Sequence, residues 1–425
     1  MTTWFLIIDC NTFYASVEKV FRPDLRNKPV VVLSNNDGVV VALSQEAKDV
    51  GIKRGDLLFK IEELVKTHRV HVFSSNFVLY YDFSKRIETV VRRYFYDVEK
   101  YSVDEMFVEY TTDKSVDEIR ETAKKIRDTI SDEIKIKVSI GIAPTKTLAK
   151  VMNRYAKKDK RYQGVAILKD TNLLQKALFT YPAGDVWGIG RQHSKKLAAQ
   201  GITTAWQFSQ MNDNWLRKNF SIVGLRTARE LRGIRCIDME LHPPDKKNIL
   251  CSRSFGKPIS ELLDLKAAVS AFVQEVAEKL RRQKSVCKSI GVMVMTNPHR
   301  KDQKQYYNSV MLELPYAAND NLTLQEIAFI GLEKIFRTEH LYKKAGVFVN
   351  DLFSSENIQY TLWDDAAKIS KRRHLFQTVD TINTSLGLIK LGIQKGTEAK
   401  HSMRQTKKSP NYTTDISQVP KIDMD

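Results

Sequence analysis

The chain is 425 residues long, enough for two to four domains with ample cores. Lysine and arginine number 68 against 50 acids, and the net charge of +18 favours a polyanionic partner, of which nucleic acid is the simplest and a membrane surface an alternative. No apolar run approaches a membrane span, and no basic segment with an apolar signal core opens the chain, so a cytoplasmic protein with no membrane partner is expected.

Residues 4–8 are an apolar run short enough for a buried strand, and apolar side chains at helical spacing fill residues 13–20. Asp9 therefore sits at a strand-to-helix turn, where open α/β sheets gather ligands; simple capping of the helix is the other reading. The β-branched runs 29–33 and 38–43 flank the turn residues Ser34-Asn35-Asn36-Asp37-Gly38, and 44–50 reads as a short helix stopped by Gly51. Tyr101-Ser102-Val103-Asp104-Glu105-Met106-Phe107 predicts two short strands joined by a turn with both carboxylates at its tip. Such a pair is either solvated or relieved of its repulsion by a divalent cation. Three carboxylates offer only oxygen ligands, which suits Mg²⁺ better than zinc, and two ions about 4 Å apart can activate a hydroxyl and stabilise a departing phosphate. Residues 138–143 read as a buried strand before a basic helix over 145–157, whose Lys146, Lys150 and Lys157 are expected on a solvated face.

A linker over 169–183 leads to Asp185-Val186-Trp187-Gly188-Ile189-Gly190, then a helix over 192–200 carrying Lys195 and Lys196. Paired glycines before a helix let backbone N–H groups approach a phosphate, the helix-hairpin-helix pattern. A second small-residue turn at Val223-Gly224-Leu225 has Arg226, Arg229 and Arg232 nearby, as phosphate contacts or as a solvated face. Residues 241–250 read as a basic tether. Beyond it the pattern is β-α-β-β-α-β: strands at 252–259, 289–295, 306–314 and 344–352, helices at 262–283 and 322–337. Arg253, Lys257, Lys288, Arg300 and Lys301 are candidates for the open face of that sheet. A helix is expected over 374–388, and 395–410 reads as basic and disordered. Cys10, Cys236, Cys251 and Cys287 lack C-x-x-C spacing, so free thiols are expected rather than zinc or disulfides.

Asp9 followed by Phe13-Tyr14-Ala15-Ser16-Val17-Glu18, together with residues 101–107, resembles the signature of the Y-family (translesion) DNA polymerases. Phe21-Arg22-Pro23-Asp24-Leu25, residues 28–38 and Phe73-Ser74-Ser75-Asn76 narrow the resemblance to the UmuC-like branch. The resemblance implies an α/β (α+β) multidomain fold, a right hand: palm and fingers over 1–169, with the fingers at about 28–80, thumb over 170–240, a linker at 241–250, little finger over 251–353, and a tail over 354–425. It implies an error-prone, template-directed DNA polymerase without proofreading, acting in DNA repair and SOS-type mutagenesis on primer-template DNA and dNTP. Asp9, Asp104 and Glu105 would be catalytic and, with the Cys10 backbone carbonyl, hold two Mg²⁺ ions, Mn²⁺ substituting. Tyr14 matches the steric gate against a 2′-hydroxyl, with Phe13 beside it; Gln45 and Lys48 stand where many members have Tyr and Arg on the triphosphate, and Lys157 also reaches it. Gly188, Gly190, Lys195, Arg253 and Lys257 would hold DNA. Gln359-Tyr360-Thr361-Leu362-Trp363 resembles a peptide that binds the sliding clamp through Gln359, Leu362 and Trp363, and a UmuD-like accessory protein is a further expected partner. A catalytically retired DNA-bound scaffold is the alternative, as is a nucleotidyl cyclase, which the thumb and little-finger patterns disfavour.

Overall fold

The computed structural model describes residues 1–356, 358, 365–385 and 403–419. They form two compact units: Met1–Pro243, joined by the C-terminal residues from Thr406, and Pro244–Gln405.

In the first unit the chain runs through β1 (Thr2–Cys10), α1 (Phe13–Val20), β2 (Val30–Leu33), β3 (Val40–Leu43), α2 (Gln45–Asp49), α3 (Glu62–Thr67), β4 (His71–Ser74) and α4 (Phe77–Arg92). It continues through β5 (Val98–Lys100), β6 (Glu105–Thr112), α5 (Val116–Ile134), β7 (Val138–Ala143), α6 (Lys146–Lys158) and β8 (Val165–Ile167). The helices α7 (Thr171–Thr180), α8 (Arg191–Ala198), α9 (Ala205–Ser209) and α10 (Asp213–Leu231) complete it.

Five strands make the central sheet in the order β5-β6-β1-β7-β8, with β1 antiparallel to both neighbours. Both of its faces are covered, which is why residues 4–8 read as an unbroken apolar run. Trp4, Leu6 and Ile8 enter one core with α4 and α5 residues, while Phe5 and Ile7 enter another with Leu148, Val151 and Met152 of α6 and residues of the helices that follow. The period-2 alternation of a strand thus assigns odd-numbered residues of β1 to the α6 side. Gly141 in β7 lets α6 settle there, since a Cβ at that position would lie 2.1 Å from the Ala149 carbonyl oxygen. A separate three-stranded sheet, β3-β2-β4, has its own small core of Val31, Leu33, Val40 and Ile52.

The second unit holds β9 (Ile249–Ile259), α11 (Leu262–Arg282), β10 (Ser285–Thr296), β11 (Tyr307–Ala318), α12 (Asn321–Ile335), β12 (Tyr342–Ser354) and α13 (Ala366–Ser385). Its sheet runs β11-β10-β12-β9, all antiparallel, with α11 and α12 packed on one face around Phe272, Val276, Leu324 and Leu332. Asp380 of α13 forms a two-pronged ion pair with Arg281 of α11, at 2.6 and 2.8 Å.

Three expectations are corrected here. The stretch read as a linker over 169–183 is mostly helix, α7 over Thr171–Thr180, capped by the Asp170 side chain. Within the stretch read as disordered over 395–410, Lys407 and Lys408 pair through their backbone with Ser74, the last residue of β4. Arg253 does not line the open face of its sheet: it shares strand parity with the buried Cys251 and Phe255, and its guanidinium pairs with Glu275 of α11.

Candidate active site

Asp9 is the last-but-one residue of β1, and its strand partner across the antiparallel ladder is Glu105, the first residue of β6. Asp104 occupies the turn just before it, and the Cys10 N–H donates to the Asp104 carbonyl at 2.8 Å, tying the turn to the end of β1. Thr12, not Asp9, occupies the N-cap position of the helix after β1, and no side chain caps that helix end. Ser102 closes the turn, its hydroxyl donating to Asp104 Oδ1 at 2.7 Å.

Opposite these acids lies one stripe of α6. Lys146, Lys150, Asn153 and Lys157 recur at intervals of four, three and four, which places them on a single helical face. That face is only partly the solvated one expected: Lys146 and Asn153 are buried and Lys150 half-buried against acidic residues of β5, β6 and β1, whereas Lys157 at its end is exposed. Lys146, fully buried, pairs with Glu99 of β5. The Lys150 ammonium lies 3.0 Å from both Glu105 oxygens. Lys157 pairs with Asp9 Oδ2 at 2.5 Å, and the Asn153 amide donates to the same oxygen at 3.0 Å. Burial pushes the Asp9 carboxyl up to about 6, Lys157 holding it back and Glu105 and Asp104 adding to the rise. The lysines thus supply the positive charge that abutting carboxylates demand. Among the described residues no three His, Cys, Asp or Glu side chains converge closely enough to hold a metal as they stand.

Lys150 is further boxed by aromatic rings, 4.5 Å from the centroid of Tyr101 and 5.4 Å from that of Trp187. The Trp187 indole N–H donates to the Tyr101 hydroxyl at 2.9 Å, which brings the Asp185–Gly190 loop against the acidic turn. Asn153 and Trp187 were not foreseen as neighbours of the acids. The helical spacing from Lys150 carries the signal for Asn153, whereas nothing local marks Trp187.

Tyr14 lies on α1, half-buried, its ring stacked on Tyr80 of α4 at 4.4 Å and 16°. Burial, and to a lesser degree the Asp104 charge, raise its hydroxyl pKa, while Arg54 opposes the rise. Arg54, exposed in the loop before Gly55, is a cation missed in the sequence. Phe13 is buried in the core, so its side chain is not open to a ligand. Gln45 and Lys48 are both exposed on α2, with the Gln45 amide engaged by Asp49 at 2.8 Å. The Cys10 thiol is buried and held well above its usual range by desolvation; all four cysteines are free.

Further along, Gly188 has φ +85° and Gly190 caps α8, whose Lys195 is exposed. Arg229 and Arg232 both pair with Asp213, at 2.6 and 2.7 Å, and Arg226 and Arg229 are exposed. Lys257 and Lys288 are exposed, and Arg300 pairs with Asp302 at 2.6 Å. Gln359, Leu362 and Trp363 lie outside the described residues.

The sequence profile of the impB/mucB/samB family matches residues 8–154, and that of its C-terminal domain matches residues 246–362. The chain belongs to this family. A third profile, a domain of unknown function, matches residues 373–422. The chain is 39% identical to protein UmuC of Salmonella typhimurium strain LT2, over 98% of this chain and all of that one. It is 37% identical to protein MucB of Escherichia coli over 98% and 99% of the two chains. Among solved structures it resembles a chimera of the Y-family DNA polymerases Dbh and Dpo4, with a TM-score of 0.65 at 20% identity, covering 83% of this chain and 99% of the other. An insertion ternary complex of Dbh DNA polymerase gives 0.53 at 19% identity over the same shares. The fold of this impB/mucB/samB member is therefore that of the Y-family polymerases. No helix among its described residues is long and apolar enough to cross a membrane.

Proposed function

We propose that this chain is a DNA-directed DNA polymerase of the translesion type, error-prone and active in damage-induced mutagenesis. The observation that carries the reading is the register pairing of Asp9 with Glu105, with Asp104 in the adjoining turn. Family membership supports it, and the Y-family fold supports primer-template DNA and dNTP as substrates.

The residues fit a divalent cation. Their side-chain donors are hard oxygens, two ammonium groups already sit against them, and the buried Asn153 Oδ1 beside Asp9 has no partner. Asp9, Asp104, Glu105 and the Cys10 carbonyl would hold it; we read the set as two Mg²⁺ ions, with Mn²⁺ as a substitute. Bound ions would lower the pKa of the primer 3′-hydroxyl and offset the charge of the transferring phosphoryl group. Lys157, released from Asp9, would then meet the triphosphate, together with Lys48 and Arg54 from the fingers. Tyr14, by the family resemblance, would exclude a ribose by overlap. The backbone N–H groups around Gly188 and Gly190 suit duplex phosphates, and contacts of that kind hold DNA without reading bases. A sliding clamp bound through Gln359, Leu362 and Trp363, a UmuD-like accessory protein and a cytoplasmic setting complete the reading.

Primer extension on a gapped template carrying an abasic site, with Mg²⁺ and single dNTPs, tests it, with and without clamp and accessory protein. Extension opposite or past the lesion is expected. No incorporation on any template under any of these conditions sinks the enzyme reading in favour of a DNA-bound scaffold.

A further inference from the structure

The last described residues, 406–419, lie on the first unit, although the chain leaves that unit at Pro243. They meet the end of β4, an edge strand, at Ser74, whose backbone would otherwise be unpaired on that side. The Ser74 N–H donates to the Lys407 carbonyl at 2.9 Å, and the Lys407 N–H donates to the Ser74 hydroxyl at 3.0 Å. On one side, the Thr406 N–H donates to Asp37 Oδ2 at 2.9 Å; on the other, Tyr412 stacks on Phe21 at 4.3 Å. This strap is held at three places.

Between them Ser409 is buried. The Asn76 amide donates to its carbonyl and to its hydroxyl, each at 3.1 Å. The Ser409 hydroxyl in turn donates to Glu18 Oε1 at 3.1 Å, and the same oxygen accepts the Tyr80 hydroxyl at 2.6 Å. Glu18 is 1% exposed and its other oxygen has no partner, so these two hydroxyls are what holds it. Tyr14 lies one turn before Glu18 on α1, and the Tyr80 ring is stacked against it.

We propose that the C-terminal strap positions the sugar gate: Ser409 holds Glu18, Glu18 holds the Tyr80 hydroxyl, and the fixed Tyr80 ring sets how far Tyr14 can yield to a 2′-hydroxyl. This rests on the reading of Tyr14 as the gate. Ser409 touches no nucleotide; it is a positioning residue. Without its hydroxyl, Glu18 keeps one donor of two, Tyr80 gains freedom at its polar end, and Tyr14 can retreat by the fraction of an ångström that a ribose needs. Part of the 373–422 segment thereby acquires a role in substrate choice.

Single-nucleotide incorporation by the full chain, giving kcat/KM for a dNTP and its matching rNTP, tests the idea. Tyr14→Ala should lose most discrimination. Ser409→Ala should lower the dNTP/rNTP ratio about fivefold, the effect of one lost hydrogen bond, mainly through a lower KM for the ribonucleotide. Ser409→Thr, which keeps a hydroxyl, should restore the ratio, and Tyr412→Ala, which loosens the strap elsewhere, should lower it. A wild-type ratio in both Ser409→Ala and Tyr412→Ala, with discrimination lost in Tyr14→Ala, overturns the strap while leaving the gate. Equal losses in Ser409→Thr and Ser409→Ala overturn the hydroxyl's part in it. An unchanged ratio in Tyr14→Ala removes the gate and the strap together.

Discussion

Asp9 and Glu105 face each other across the β1–β6 ladder, and each is met by a lysine from the same helix. Like charges directly opposed on neighbouring strands destabilise a sheet, so this arrangement persists only with cations between or beside them. Lys150 and Lys157 fill that need within the chain, at positions a metal ion and a triphosphate would contest.

Replacing an acid should therefore remove chemistry before it removes the fold. Asp104→Asn keeps the turn, since the Asn oxygen can still accept from Ser102, but takes away a charge. Primer extension should fall by at least about a hundredfold, the scale of losing a group that stabilises transition-state charge. Retained extension in a well-folded variant would exclude the assigned role.

Under the two-ion reading, Lys150 would compete with a cation for Glu105. Lys150→Met should lower the melting temperature in EDTA, because Glu105 then loses its counter-charge beside Asp9. Mg²⁺ should restore more stability than in the wild type, and the Mg²⁺ giving half of that rise should fall about two- to fivefold, the worth of a partly exposed ion pair. Thermal melts across a Mg²⁺ series check both. An unaltered Mg²⁺ dependence would mean that the ion does not bind at Glu105.

Lys146 and Glu99 are a buried pair with extra bonds: the ammonium also donates to the Asp238 carbonyl at 2.7 Å, and the Glu240 N–H to Glu99 Oε2 at 2.7 Å. Lys146→Met leaves a buried carboxylate without its cation and should cost about 3–5 kcal/mol in chemical denaturation. The double variant Lys146→Met with Glu99→Gln should recover part of this. A double variant worse than the single one would contradict the buried-charge account.

Burial pushes the Glu18 carboxyl from an ordinary 4.5 up to about 7, against hydrogen bonds from Tyr80 and Ser409 that hold it down. The folded chain then binds this proton more tightly than the unfolded chain does. Its contribution to stability is full below about 4.5, declines as the pH rises towards about 7, and is flat above that. Glu18→Gln keeps the acceptor oxygen and loses the titration. Relative to wild type, its stability should rise between pH 5 and pH 8, by up to about 3 kcal/mol. Urea denaturation at the two pH values measures the difference, and a gap that does not change with pH would refute the shift.

The acidic positions were legible in the residues because local rules place them: an apolar run ends at Asp9, and β-branched neighbours isolate Asp104 and Glu105 at a turn. The second unit was legible as an element order for the same reason, its strands and helices announcing themselves by period. Side-chain direction was not. Arg253 looked like an outward cation, yet strand alternation points it at Glu275, and only the pairing of β9 with β12 fixes which parity faces inward.

By itself the sequence determined the elements of the second unit and those around the acids, though not the helices α4, α5 and α7, together with the basic balance and the resemblance that joins them. The tertiary structure alone decided what each charge meets. Periodicity tells which face of α6 carries Lys146, Lys150, Asn153 and Lys157, but not that three acidic strand ends lie beneath it. The reach from Ser409 to Glu18 spans 391 residues, and no local propensity encodes it. Contacts of that separation form only after the cores have condensed, because it is their packing that brings distant polar groups close and dry enough to need one another.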